Sequence, residues 1–213
     1  MPAVLTHKSI MLLARERVAN IRDLLLVKVN KGATVTDLEH RLLHLAKQTH
    51  DLMSDNSVTD PVIEPPSGSV YVTPLGKGVS RFAVMGSMGP DIPAFSAALK
   101  PGQQWVFDLI HKGNPDADRE RVVARTTDLA LEIWRLARLR IDGGTASDAK
   151  KEQARKAVRA YVLGHLCHIA GDVLSHPFIN DLEWHLSTAS RKKFTHAGGE
   201  GVIDAEVARQ VLL

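Results

Sequence analysis

The chain has 213 residues, 44% of them hydrophobic and 24% charged, which fits a single globular domain over residues 1–213 and excludes a disordered chain. Twenty-seven basic against 24 acidic residues leave a net charge of +3, too mild to name nucleic acid or a membrane as partner. The single cysteine, Cys167, excludes an internal disulfide framework, and the ten histidines carry the reading instead.

The first thirty residues lack the charged, apolar and small-residue regions of a secretory signal. No stretch supplies the roughly 20 apolar residues of a membrane span, so the chain is expected to be soluble, its compartment open and any export signal-independent. Apolar residues at Ile10, Leu13, Ala14, Val18, Ile21, Leu24 and Leu25 predict a helix over 7–29, ended by Lys31-Gly32. Thr36 and Glu39 form a capping box for a second helix with Leu38, Leu42, Leu45 and Leu52 on its apolar face. Residues 54–81, with Pro61, Pro65, Pro66, Gly68, Pro74, Gly76 and Gly78, read as a long irregular loop, with a brief hairpin at Val70–Thr73 and a possible role as a lid. Residues 82–95 are apolar and then sharply turned, and Gly86, Gly89 and Pro90 read as a tight turn that aims Asp91 inward. Helices are predicted over 101–112, 117–141, 147–176 and 180–193, with a last one from near Ile203. Almost nothing reads as strand, so the fold class is all-α. The final EVARQVLL is helical in pattern, so the chain is expected to be the N-terminal part of something longer.

The segment from Tyr161 to Asn180 concentrates the chemistry. His168, Asp172 and His176 are spaced by four and four, which places them on one helical face among Val162, Leu166, Ile169 and Val173. Buried His and Asp without partners cost several kcal/mol, and a divalent cation satisfies all of them together. His196 and Glu200 repeat the four-residue spacing downstream, and His7, Asp91 and His111 are the upstream candidates. His40, His44, His50 and His185 read as scattered surface residues, His165 as a packing residue behind the ligands, and Cys167 as packing on another face. There is no GxSxG nucleophile elbow and no Walker-type lysine.

The ordered set Thr6-His7, GPDIP, His111, HxxxDxxxH and HxxxE resembles the zinc-dependent phospholipase C family over residues 6–200. That family is related to the single-strand-specific zinc nucleases and to the catalytic domain of glycosylphosphatidylinositol-specific phospholipase D. The resemblance implies an all-α fold around two or three Zn²⁺ ions at the bottom of a cleft. It assigns one zinc to Asp91, His111, His168 and a bridging Asp172. A close neighbour shares Asp172 and adds His7 and the amino-terminal residue, and a third takes His176, His196 and Glu200. It further implies that a metal-bound hydroxide attacks a phospholipid on the glycerol side of the phosphate, with Asp91 and Asp172 as the catalytic carboxylates.

Two departures from the family pattern stand out. No Trp occupies the amino terminus, where the family's terminal amine ligates a metal, although Pro2 becomes first and His7 sixth if Met1 is removed. The amine-bearing site is therefore expected to be weak or empty. The other departure is the long 54–81 loop. The expected partner is phospholipid at a membrane surface, with Val84, Met85, Met88, Ile92, Phe95 and Trp105 as candidates for an apolar rim, though a core role is the plainer reading for most. The alternative is a single-strand-specific nuclease of the same fold, which the five Phe, three Trp and two Tyr serve poorly as stacking platforms.

Overall fold

The computed structural model describes residues 4–54, 80–91, 126–190 and 196–212. All regular structure among them is helical, in agreement with the all-α expectation. The elements are α1 (Val4–Asn30), α2 (Asp37–Ser54), α3 (Arg81–Met88) running into a 3₁₀ turn (Gly89–Asp91), α4 (Thr126–Asp142), α5 (Asp148–Ser190) and α6 (His196–Leu212). The predicted helix at 101–112, the hairpin at Val70–Thr73, residues 55–79 of the long loop and the start of the 117–141 helix lie outside the described residues.

The ends of the first two helices follow their sequence signals. Gly32 takes φ +67°, and the bonds Gly32 N–H to Val29 O (3.0 Å) and Ala33 N–H to Lys28 O (3.2 Å) complete a Schellman ending for α1. At the start of α2 the Glu39 amide donates to Thr36 Oγ1 at 3.2 Å, and the Thr36 amide donates back to Glu39 Oε2 at 2.9 Å. Lys28 Nζ donates to both Glu39 oxygens, at 2.6 and 2.9 Å, locking the α1–α2 hairpin.

Two helix boundaries differ from the sequence expectation. The segments 147–176 and 180–193 are one helix of 43 residues with Pro177 inside it. Proline removes one helical donor at a cost of about 3 kcal/mol, and the burial of Ile179 just after it offsets part of that cost. The last helix begins at His196, not near Ile203. Gly198, Gly199 and Gly201 disfavour helix by about 1 kcal/mol each, and docking of the buried Gly199 and Asp204 overrides that preference.

Helix α5 is the spine, touching α1, α2, α3, α4 and α6. Met11, Met53, Ala83, Val84 and Ala160 form the core, with Phe82, Met88, Leu163 and Cys167 packed against it. Burial pushes the Cys167 thiol pKa up, as suits a packing residue. Gly86 is therefore not part of a turn but lies within α3, where it meets α5. A Cβ on Gly86 would fall 2.0 Å from the Tyr161 carbonyl oxygen, and one on Gly164 would fall 1.9 Å from the Ala83 oxygen. The two helices cross backbone to backbone through this reciprocal pair.

Two outcomes are expected. Gly164→Ala lowers stability by more than about 3 kcal/mol, because backbone must move, whereas Gly201→Ala, with nothing near its Cβ, is neutral or stabilising by up to about 1 kcal/mol; thermal melts followed by circular dichroism compare them. Bonds from Lys28 and from the Thr36 amide and hydroxyl hold the Glu39 carboxyl at about 2 instead of its ordinary 4.5. Its contribution to stability is thus present above pH 4.5 and lost as pH falls toward about 2, so the melting-temperature gap between wild type and Glu39→Gln should close through that window.

Candidate metal centre

Three separate elements deliver the central side chains. His7 comes from the first turn of α1, Asp91 from the 3₁₀ turn after α3, and His168 and Asp172 from consecutive turns of α5. His7, Asp91 and His168 are buried, and one ligand atom from each lies within 4.8 Å of the others. His7 Nε2 is 3.5 Å from Asp91 Oδ2 and 3.3 Å from Asp172 Oδ1. His168 Nε2 is 3.8 Å from Asp91 Oδ1 and 3.1 Å from Asp172 Oδ2. Asp172 thus faces both imidazoles, one oxygen to each.

Close helix packing makes this convergence possible. A Cβ on Gly171 would lie 2.9 Å from Ile10 Cδ1 and 3.1 Å from His7 Nδ1, so only glycine lets α1 press its histidine against α5. The His7 and His168 rings then sit 3.9 Å apart between centroids, tilted by 33°. The Gly86–Gly164 crossing brings the Ser87 carbonyl to 3.0 Å from His168 Nδ1. A carbonyl only accepts, so Nδ1 carries a proton, and Nε2 is the ring atom left to face the carboxylates. That is the orientation of a metal-ligating histidine. His7 departs from this pattern, because its buried Nδ1 has no hydrogen-bond partner among the described residues.

The electrostatics point the same way. Burial alone would raise the Asp172 carboxyl pKa, but hydrogen bonds from His168 and His7 outweigh it and hold the group well below the usual carboxylate range. Asp172 therefore stays charged at any pH near neutrality. Positive charge must balance it together with Asp91, and either imidazolium protons or a cation can supply it.

The centre opens into a cleft lined by Thr6, His7, Asp172, Ser175, Ile179, Glu200 and Ile203. His176 Nε2 lies 3.4 Å from Asp172 Oδ1 and 3.8 Å from Glu200 Oε1, two residues of that lining. Of the eight candidate ligands, five read from helical spacing and three from the resemblance, the structure brings together His7, Asp91, His168, Asp172, His176 and Glu200. His111 lies outside the described residues, and His196 starts α6 one turn before Glu200, with its side chain outside the described set. His165 is buried behind the centre, with its ring edge-on to His168 at 6.5 Å and to Tyr161 at 6.4 Å. His40, His44 and His185 are exposed, and His50 is a hairpin residue accepting from Arg22 at 2.8 Å.

Sequence reasoning missed Asp204. It is buried on α6, and its Oδ1 accepts from the Thr6 amide at 2.9 Å and from the Thr6 hydroxyl. The four-residue step from Glu200 was the available signal, since it puts both acids on one face of α6.

No family model matches the chain, and neither a curated protein nor a solved structure matches it. The centre is therefore characterised by its own geometry: a buried imidazole–carboxylate group able to hold a metal ion.

At least one of Zn²⁺, Mn²⁺ and Mg²⁺ should raise the melting temperature in scanning calorimetry, by the equivalent of about 2.7 kcal/mol at a hundredfold excess over Kd. His168→Ala should lose most of that rise. His50→Ala, far from the centre, should keep it even if its own melting point is lower.

Proposed function

We propose that this chain is a zinc-dependent phosphodiester hydrolase of the phospholipase C type, cleaving a phospholipid on the glycerol side of its phosphate. The observation that carries the reading is the convergence of His7, Asp91 and His168 from three elements, with Asp172 facing both imidazoles. Mixed nitrogen and oxygen donors favour Zn²⁺ over Mg²⁺ or Ca²⁺, which prefer oxygen. The nitrogen–oxygen separations of 3.1 to 3.8 Å bracket the edge of about 3.3 Å expected of a tetrahedron with zinc–ligand bonds near 2.0–2.1 Å. The same ordered residues carry the resemblance to the phospholipase C family, which adds His111 and His196 to the ligand set.

His7, His168, Asp91 and Asp172 would hold the inner ion or pair of ions, and His176, His196 and Glu200 an outer one. Zinc bound there supplies Lewis acidity toward the phosphate and lowers the pKa of water at neutral pH. Asp172, held ionised between two imidazoles, is a poor proton acceptor near neutrality and serves as the anchoring carboxylate. Asp91, on the turn that leads into the site, is assigned the transfer of the water's proton. His168 is fixed by Ser87 so that its Nε2 faces the centre throughout.

The lipid as substrate rests on the resemblance. The cleft itself offers two apolar side chains, Ile179 and Ile203, whereas the exposed Val173, Leu174 and Phe178 of α5 and Val202 of α6 are not among its lining. Of the rim candidates read from sequence, Val84 belongs to the core, Met88 packs against it, and Met85 is exposed. Ile92, Phe95 and Trp105 lie outside the described residues.

Zinc-loaded protein incubated with mixed phospholipid vesicles should release diacylglycerol, detected by mass spectrometry and abolished by EDTA. His168→Ala should lower the rate by at least about 100-fold, the upper end of losses seen for disturbing a metal's supporting residues. Absence of diacylglycerol from protein shown to contain zinc would overturn the lipid assignment, and cleavage of single-stranded DNA by the same sample would replace it with a nuclease.

A further inference from the structure

Helix α6 presents two acids one turn apart, and they do different things. Glu200 faces His176 of α5, with Oε1 3.8 Å from Nε2. Asp204, one turn further on, takes hold of the start of α1 beside the cleft that Glu200 lines. The Thr6 amide lies in the first turn of α1, where no helical carbonyl precedes it to accept its proton. Asp204 Oδ1 accepts that amide at 2.9 Å and the Thr6 hydroxyl as well, although α1 has no acidic residue of its own in that turn. Asp204 is therefore an N-cap supplied from 198 residues away.

His7 is the next residue. Ligating imidazoles are ordinarily aimed by a hydrogen bond on the second ring nitrogen. His168 has such a bond, to Ser87, and His7 Nδ1 has none among the described residues. The aim of His7 must come from its backbone and from ring packing against His168 and Gly171. We propose that Asp204 is a positioning residue for His7: by clamping Thr6 it fixes the first turn of α1 and so holds His7 Nε2 between Asp91 and Asp172. The inference rests on the reading of this centre as a zinc site.

The test is a zinc titration of the full chain against a chromophoric chelator, for wild type, Asp204→Ala, His7→Ala and the double variant. Asp204→Ala should weaken the His7-containing site about 10- to 100-fold, as losses of ligand-orienting groups do. Asp204→Asn, which keeps an acceptor oxygen for the Thr6 amide, should weaken it far less. In the His7→Ala background Asp204→Ala should cause no further loss. Unchanged zinc affinity in Asp204→Ala overturns the proposal, and so does an equal loss with and without His7, which would mark a general structural role. If Asp204→Ala fails to fold by circular dichroism, Thr6→Val, which removes only the hydroxyl donor, carries the same comparison: a loss that vanishes without His7 supports the clamp, and no loss overturns it. Failure of the wild-type chain to bind zinc is a separate result, and it overturns the zinc reading on which the clamp rests.

Discussion

Two carboxylates, Asp91 and Asp172, are held mostly out of water against His7 and His168, and the rest of the structure serves that arrangement. Uncompensated, such charges cost several kcal/mol each. Compensation requires imidazoles from distant parts of the chain at distances that ordinary helix packing, 8–10 Å between axes, makes hard to reach. Three glycines remove the obstacle. Gly171 admits α1, and Gly86 and Gly164 admit α3, whose last residues supply both the carbonyl that orients His168 and the turn that carries Asp91. The close crossings and the buried charge are one problem solved together.

The stripe on α5 also changes character along its length. The side chains of His168, Asp172 and His176 are 1%, 17% and 36% exposed, so the stripe passes from dry interior to the open cleft in two turns. Electrostatic interactions weaken along the same path as water enters. The inner end suits tight, permanent holding of a cation, and the outer end suits groups that meet a ligand arriving from solvent.

Local rules made much of this legible in the sequence. The four-residue spacing of His168, Asp172 and His176 needs only helical geometry, and the Thr36–Glu39 box and Gly32 ending need only the adjacent backbone. What escaped depended on distant packing. Pro177 reads as a helix end, because the partners against which α5 packs as one continuous helix are far away in sequence. Gly198, Gly199 and Gly201 read as loop, because the docking that makes them helical involves α1. Gly86 resembles its neighbours Gly89 and Pro90, and nothing local separates a turn glycine from one that meets another helix. Asp204, an acid inside a helix, looks like any solvated surface charge until the start of α1 is placed against it.

That last contact bears on how the chain is made. Thr6 leaves the ribosome 198 residues ahead of the carboxylate that clamps it. Closing a loop of 198 residues carries an entropy cost that grows only with the logarithm of its length, so the contact is thermodynamically accessible but late. During synthesis α1 must wait, with a helix start that lacks its cap, until nearly the whole described chain has emerged. Among the described elements α6 emerges last, and a nascent chain stalled before it would carry His7 without the clamp that sets it.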